Sequence, residues 1–400
     1  MKYNFDESVE RRGTGCVKWD ALPPCPVEHS LQPENHNDII PLWVADMDFA
    51  VAPAIQEAIR ERAAHPVFGY AHVQDDYYEA VIDWFRRRHR WTISRESILY
   101  TTGVVPAMSV VIKALARPGE RVLFLSPDYN CFFSSIRNNG CLLGETPLVW
   151  NESVGRFEID WTDFEAQCTD SKTTLFLLCN PHNPTGRVWT RDELQRMADI
   201  CHRHRVQVVS DEIHCELVMP GHVFTPMALI DADAVVMNSP SKSFNIAGLT
   251  MANIICSDPD KRALIDRAIN INEVCDVNVF GPVAVKAAYN GGAEWLDALN
   301  CYLFENYKAL SQYIDQHLPS LRVMPLEGTY LVWVDCRGLS TDVDTLCNRL
   351  LSEGGVWVNP GTMYGPETGK GFIRINIACP RTQLMEGLRR IRKVIETQER

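Results

Sequence analysis

The sequence predicts an α/β protein in which a mostly parallel sheet, covered by helices on both faces, is followed by a smaller α+β unit. Three observations carry that expectation. Apolar runs of strand length alternate with amphipathic segments of helix length through most of the chain, the texture changes past about Val285, and polar residues recur directly after the strand-like runs.

Taken in order, "SILYTTG" precedes the periodic "VVPAMSVVIKALA", "RVLFLS" precedes "DYNCFFSSIRNN", "TTLFLLC" precedes "TRDELQRMADICHRHR", and "VQVVSDE" follows directly. Strand, helix and strand repeated in this way imply parallel pairing with helical crossovers on both faces. The stretch "VVMNSPSKSFNIAGLT" (235–250) is another strand-like run, which stops abruptly at Ser239, Ser241, Lys242 and Ser243. Beyond it come a long helical segment, "EWLDALNCYLFENYKALSQYIDQHL", the strand-like "TYLVWVD", a helix in "DVDTLCNRLLSEG", the strand "FIRINIA" and a last helix, "QLMEGLRRIRKVIE". These predict helices packed on a small mixed sheet. The division expected is a large domain over residues 53–284 and a small one from 1–52, rich in Pro and loop signals, with 285–400.

With 400 residues and 46% hydrophobic content, the chain has ample material for such a core. A formal charge of -12 argues against a nucleic-acid partner, which would need a basic surface. The basic run "RRRHR" (86–90) reads as the solvated end of a helix. The opening "MKYNFDESVERRGTG" lacks an apolar leader, and no apolar run approaches the roughly 18 residues of a membrane span, so a cytoplasmic protein without membrane contact is expected. Of 14 cysteines, no two lie closer than Cys16 and Cys25, and Cys179 and Cys256 sit inside apolar stretches, as reduced thiols do. Only His202 and His204 come close together among the histidines, and no HExxH is present, so no metal site is expected.

In open α/β sheets, ligands bind beyond the carboxyl ends of the strands. The segments there are "TTG" (101–103), "SPDY" (126–129), "NPHNPTG" (180–186), "SDEIH" (210–214) and "NSPSK" (238–242). Each has a plain structural reading: Gly103 as a turn, Asn183 as part of a loop its two prolines already explain, Tyr129 as a core aromatic, and Lys242 as a surface residue. Asp211 is harder to dismiss, because a carboxylate closing the apolar "VQVVS" needs a cation beside it. Pyridoxal phosphate has uses for the whole set. It requires a lysine for a Schiff base, an acid to hold the pyridine nitrogen protonated, and an anion cradle such as a glycine turn opening a helix. Asn183 can donate to its ring oxygen and Tyr129 can stack on its face. A partly desolvated Lys242 would have its pKa lowered toward that chemistry.

The order of "NPHNPTG", "DEIH" and "SPSK", with 28 residues from Asn183 to Asp211 and 31 from Asp211 to Lys242, resembles the fold-type I pyridoxal-phosphate enzymes of the aspartate aminotransferase superfamily. The likeness runs from about Ile40 to the C-terminus. Within it, "PLWVADMDF" (41–49), "VFGY" (67–70), "DEIHCEL" (211–217), "SKSFNIAGL" and "FIRINIACPR" resemble the MalY/PatB group of cystathionine β-lyases, also called cysteine-S-conjugate β-lyases.

The resemblance implies a large domain built on a mostly parallel seven-stranded sheet, and a particular cast of site residues. Lys242 would hold the cofactor and act as the catalytic base. Asp211 would salt-bridge the pyridine nitrogen, Asn183 bond the ring oxygen and Tyr129 stack on the ring. Gly103, the N–H of Val104 and Ser239 would bind phosphate, joined by Tyr70 across the interface of a homodimer. Arg374 would hold the α-carboxylate of an amino-acid thioether substrate, for which a bidentate fork is the suitable group. Two departures from the aminotransferase pattern fit the lyase group: Thr250 stands where many aminotransferases carry a phosphate-binding arginine, and His214, placed beside the cofactor, where they carry a tyrosine. The activity implied is elimination from L-cystathionine or other cysteine S-conjugates, giving pyruvate, ammonia and a thiol. An aminotransferase on the same scaffold is one alternative, and a regulatory protein that contacts a transcription factor is another.

Overall fold

After β1 (Ile40–Pro41) and the helices Pro53–Ala64 and Asp75–His89, the chain builds its large sheet from β2 (Ile98–Thr101), β3 (Arg121–Ser126), β4 (Leu142–Asn151), β5 (Arg156–Ile159), β6 (Thr173–Cys179), β7 (Gln207–Asp211), β8 (Val235–Asn238) and β9 (Ala252–Ile255). The computed structural model describes residues 3–21, 38–271 and 276–398. The expected Pro-rich N-terminal stretch falls partly on 22–37, outside the described residues. Strand order is β2-β9-β8-β7-β6-β3-β4-β5. Pairing is parallel from β4 through β3, β6 and β7 to β8, and antiparallel where β9 joins β8 and β2. The sheet therefore carries eight strands where seven were expected. The eighth, β5, is a hairpin partner that covers only the outer half of β4, from Leu148↔Ile159 to Asn151↔Arg156.

Both faces of this sheet are covered. On β6, Leu175, Leu177 and Cys179 enter one apolar cluster while Phe176 and Leu178 enter another, so successive side chains feed opposite sides. The continuous apolar run is the signature of that double burial. Helix Arg191–His204 starts at a capping box: Thr190 Oγ1 accepts the Glu193 N–H, and the Glu193 carboxylate accepts the Thr190 N–H. Helix Val104–Leu115 starts differently. Gly103 precedes it and supplies no side-chain cap.

The C-terminal part adds helix Ala293–His317, β10 (Arg322–Val323), β11 (Leu331–Asp335), helix Val343–Ser352, β12 (Val356–Trp357), β13 (Asn359–Pro360), β14 (Phe372–Asn376) and helix Arg381–Gln398. Its four-stranded sheet, β10-β11-β14-β13, is antiparallel throughout, not mixed as expected. The parallel pairing in this part is β1 with β12, which ties Ile40 to Val356. Among the described residues, twelve cysteines are free and no helix is long and apolar enough to cross a membrane.

Candidate active site

Five strand ends bring residues to one rim of the large sheet. Gly103 follows β2, Tyr129 follows β3, Asn183 follows β6, Asp211 ends β7 and Lys242 follows β8. They line a single cavity with Val104 and His214. Seven of the ten residues singled out from the sequence thus meet.

Lys242 is partly buried, and its Nζ donates to the carbonyl of Ala45 at 2.7 Å. Burial, reinforced by the charge of Arg374, lowers its pKa to about 8. Asp211 is fully buried, and its Oδ1 accepts the N–H of Ile213 at 3.1 Å. Burial raises its pKa to about 7. No ion pair within 4 Å involves Asp211 among the described residues. His214 is also buried. Desolvation first, then the charges of Lys242 and Arg374, push its pKa down to about 3, so it is neutral at ordinary pH. Its Nδ1 is buried without a hydrogen-bond partner among the described residues.

Arg374 is not among the cavity-lining residues, but it sits at the cavity's flank on β14. Its Nη1 donates to Asn183 Oδ1 at 3.1 Å and its Nη2 to the Trp43 carbonyl at 2.9 Å. The guanidinium lies over the Tyr364 ring, 4.6 Å from its centroid, and its buried Nε has no hydrogen-bond partner among the described residues. The side chain is 3% exposed and forms no salt bridge within 4 Å among the described residues, an arrangement that calls for an anion from outside the chain.

Two residues stand apart from the expectation. The hydroxyl of Ser239 donates to the Met251 carbonyl and accepts the N–H of Ser241 at 3.1 Å, so it closes the turn that presents Lys242 and does not line the cavity. Tyr70 is 99% exposed, next to the exposed Val67 and Phe68, and does not line its own chain's cavity. Conversely, Thr102, Ser241 and Thr250 line the cavity and had been given no part in binding. Thr102 and Ser241 lie inside the rim segments read from the sequence, so position was the available signal. The carbonyls of Ala45 and Trp43 had none.

The unmet demands of the cavity match pyridoxal phosphate with an amino acid. Asp211 is a buried carboxylate with no cation within 4 Å among the described residues, suited to a protonated ring nitrogen. The first turn of helix Val104–Leu115 has no side-chain cap, and Pro106 in that turn has no N–H, so the amides of Val104 and Val105 are left for an anion. With Asn183 Oδ1 taken by Arg374, its Nδ2 remains to donate to a ring oxygen.

A profile of the family described as aminotransferase class I and II matches residues 37–391. Cystathionine beta-lyase PatB of Bacillus subtilis (strain 168) is 39% identical over 396 residues, covering 98% of this chain and 100% of that protein. Protein MalY of Escherichia coli (strain K12) is 34% identical over 389 residues, covering 96% and 97%. The crystal structure of cystalysin from Treponema denticola, which contains a pyridoxal 5′-phosphate cofactor, superposes with a TM-score of 0.93 at 33% identity, over 100% of both chains.

Proposed function

This chain belongs to the aminotransferase class I and II family, and from that premise we propose that it is a pyridoxal-phosphate-dependent carbon–sulfur β-lyase acting on L-cystathionine or related cysteine S-conjugates. The observation that carries the reading is the meeting of three complementary needs around one cavity. These are a lysine amine with its pKa lowered to about 8, a buried carboxylate with no cation within 4 Å, and a buried arginine with no anion within 4 Å, both among the described residues.

When bound, pyridoxal phosphate supplies a protonated pyridine ring that accepts the electron pair left at the substrate's α-carbon. Asp211, buried at the end of β7, keeps the ring nitrogen protonated. Asn183, oriented by Arg374, donates to the ring oxygen, and Tyr129 covers the ring face. Gly103 and the amide of Val104 hold the phosphate together with Tyr70 from the second subunit of a homodimer. For Ser239, whose hydroxyl is engaged by backbone, the phosphate contact reduces to shaping the turn. His214, neutral, packs beside the cofactor without adding charge. Arg374 binds the substrate carboxylate and thereby turns the α-hydrogen toward Lys242, whose Nζ takes the proton from the α-carbon. The C–S bond at the β-carbon then breaks with the electron pair leaving on sulfur. With one water consumed, cystathionine gives homocysteine, pyruvate and ammonia. The residues that serve this site come from a large unit, 53–284, and a small one, 1–52 with 285–400.

Supplying L-cystathionine without any keto acid and following pyruvate and free thiol tests the reading. Both should appear in equal amounts. No pyruvate, with amino transfer once a keto acid is added, would reject the lyase in favour of an aminotransferase.

A further inference from the structure

Behind the cavity, two buried polar atoms without hydrogen-bond partners among the described residues face each other, and the chemistry above uses neither. Asp128 follows β3 and His182 follows β6, and both side chains are fully buried. Asp128 Oδ1 accepts the N–H of Tyr129 at 2.7 Å, while its Oδ2 has no hydrogen-bond partner. His182 Nδ1 lies 2.8 Å from Thr185 Oγ1, while its Nε2 is likewise unpartnered. The two orphan atoms are 3.6 Å apart. A water bridging them would need about 5.5 Å, two hydrogen-bond lengths, so the groups answer each other directly.

The surroundings decide what this contact does. Asp128 is faced by His182, by the Cys179 thiol at the end of β6 and by Asp211 at the end of β7, whose proton affinity it raises. The charge of Lys242 acts on Asp211, and that of Arg374 on Tyr129 and Lys242. Two buried carboxylates in one region do not both stay ionised unless a proton or a cation offsets one of them.

We propose that Asp128 and His182 share one proton and stand as a neutral pair behind Asp211, leaving Asp211 as the single negative charge available to the cofactor's ring nitrogen. This rests on the pyridoxal-phosphate reading of the cavity. The 3.6 Å contact joins the two side chains, and the net charge of the pair is zero whichever partner carries the proton. Neither residue lines the cavity, so both are positioning residues that act through Asp211. Remove His182 and the two carboxylates must share a proton between themselves, which makes Asp211 harder still to ionise near neutrality than it already is. Remove Asp128 and the need for the proton disappears with it.

The test uses the apoprotein and pyridoxine 5′-phosphate, which lacks the aldehyde and cannot link to Lys242, with its dissociation constant followed against pH by protein fluorescence. His182→Asn should weaken binding about tenfold near neutrality, equivalent to one pKa unit at Asp211, with the deficit shrinking as pH rises and Asp211 ionises. Asp128→Asn keeps the Oδ1 that accepts from Tyr129 and should stay within about threefold of the wild type, and the double variant should recover most of the loss. Wild-type affinity in His182→Asn, a loss in Asp128→Asn equal to that of His182→Asn, or a double variant no better than His182→Asn would each overturn the proposal. Should His182→Asn fail to fold, a double variant that folds and binds within about threefold upholds it, and one that also fails to fold marks the pair as structural and overturns it. A wild-type apoprotein that does not bind pyridoxine phosphate would instead refute the cofactor reading.

Discussion

Arg374 reaches from β14 to the loop after β6 and donates from Nη1 to Oδ1 of Asn183 at 3.1 Å, joining side chains 191 positions apart in one buried contact. The contact fixes the plane of the guanidinium on one side and the direction of the Asn183 amide on the other. In the function proposed above, a single residue would thereby orient both the substrate's carboxylate and the donor to the cofactor.

Replacing Arg374 by Ala should lower kcat/KM by roughly ten- to a hundredfold, from the loss of a charge-assisted bidentate contact of about 1.5–3 kcal/mol. Arg374→Lys restores the charge but not the fork and should fall between the two. Steady-state kinetics check both, and unchanged values would mean that the carboxylate binds elsewhere.

Borohydride treatment of the holoenzyme should fix the cofactor covalently, and peptide mapping should place the adduct on Lys242. Because an amine must be neutral to capture the cofactor, recombination of apoprotein with pyridoxal phosphate should accelerate as pH rises and level off above about 8, the value to which burial lowers Lys242. A rate still climbing past the ordinary lysine value of about 10.4 would remove that pKa from the argument.

Asp211 titrates near 7 in the folded apoprotein, against an ordinary carboxyl value of 3.8. The folded state therefore binds this proton more tightly than the unfolded chain does, and apoprotein stability falls as pH rises from about 4 through about 7. Asp211→Asn lacks that slope. Its apoprotein should match the wild type in acid and exceed it by roughly 1–4 kcal/mol above neutrality, while turnover of the holoenzyme drops on the order of a hundredfold or more. Denaturant titrations across pH, paired with turnover, separate this from a structural carboxylate, whose loss would cost stability first.

Tyr70 projects fully into solvent from a segment that also exposes Val67 and Phe68. If it serves a partner's site, Lys242→Ala and Tyr70→Ala homodimers should each be nearly inactive, and dimers mixed from the two should regain activity at up to one sound site each. Mixed dimers verified by mass that show no recovery would overturn the shared site.

Much of the architecture was legible because its signals are local. The strands β3, β6, β7 and β8 are short apolar runs buried on both faces, and the capping box at Thr190 and Glu193 marks its helix within four residues. The pair β4 and β5 was not read. In "LLGETPLVWN", Gly144 and Pro147 interrupt the pattern, and the strand switches partner halfway, from β3 to β5.

The sequence by itself determined which chemical groups the rim of the sheet would carry, because the connections after parallel strands emerge on one edge whatever the packing elsewhere. Lys242, Asp211, Asn183, Tyr129 and Gly103 were placed by that rule alone. Only the tertiary structure decided how their hydrogen bonds are allotted. Ser239 turned to the Met251 carbonyl, the Ala45 carbonyl took the amine of Lys242, and Arg374 came to Asn183 from a different sheet. A backbone carbonyl bears no residue-type signature, and a contact between distant positions depends on packing that no local window contains. The pKa values followed the same division: residue type set the starting point, and burial, a property of the folded chain, moved Lys242 down and Asp211 up toward each other.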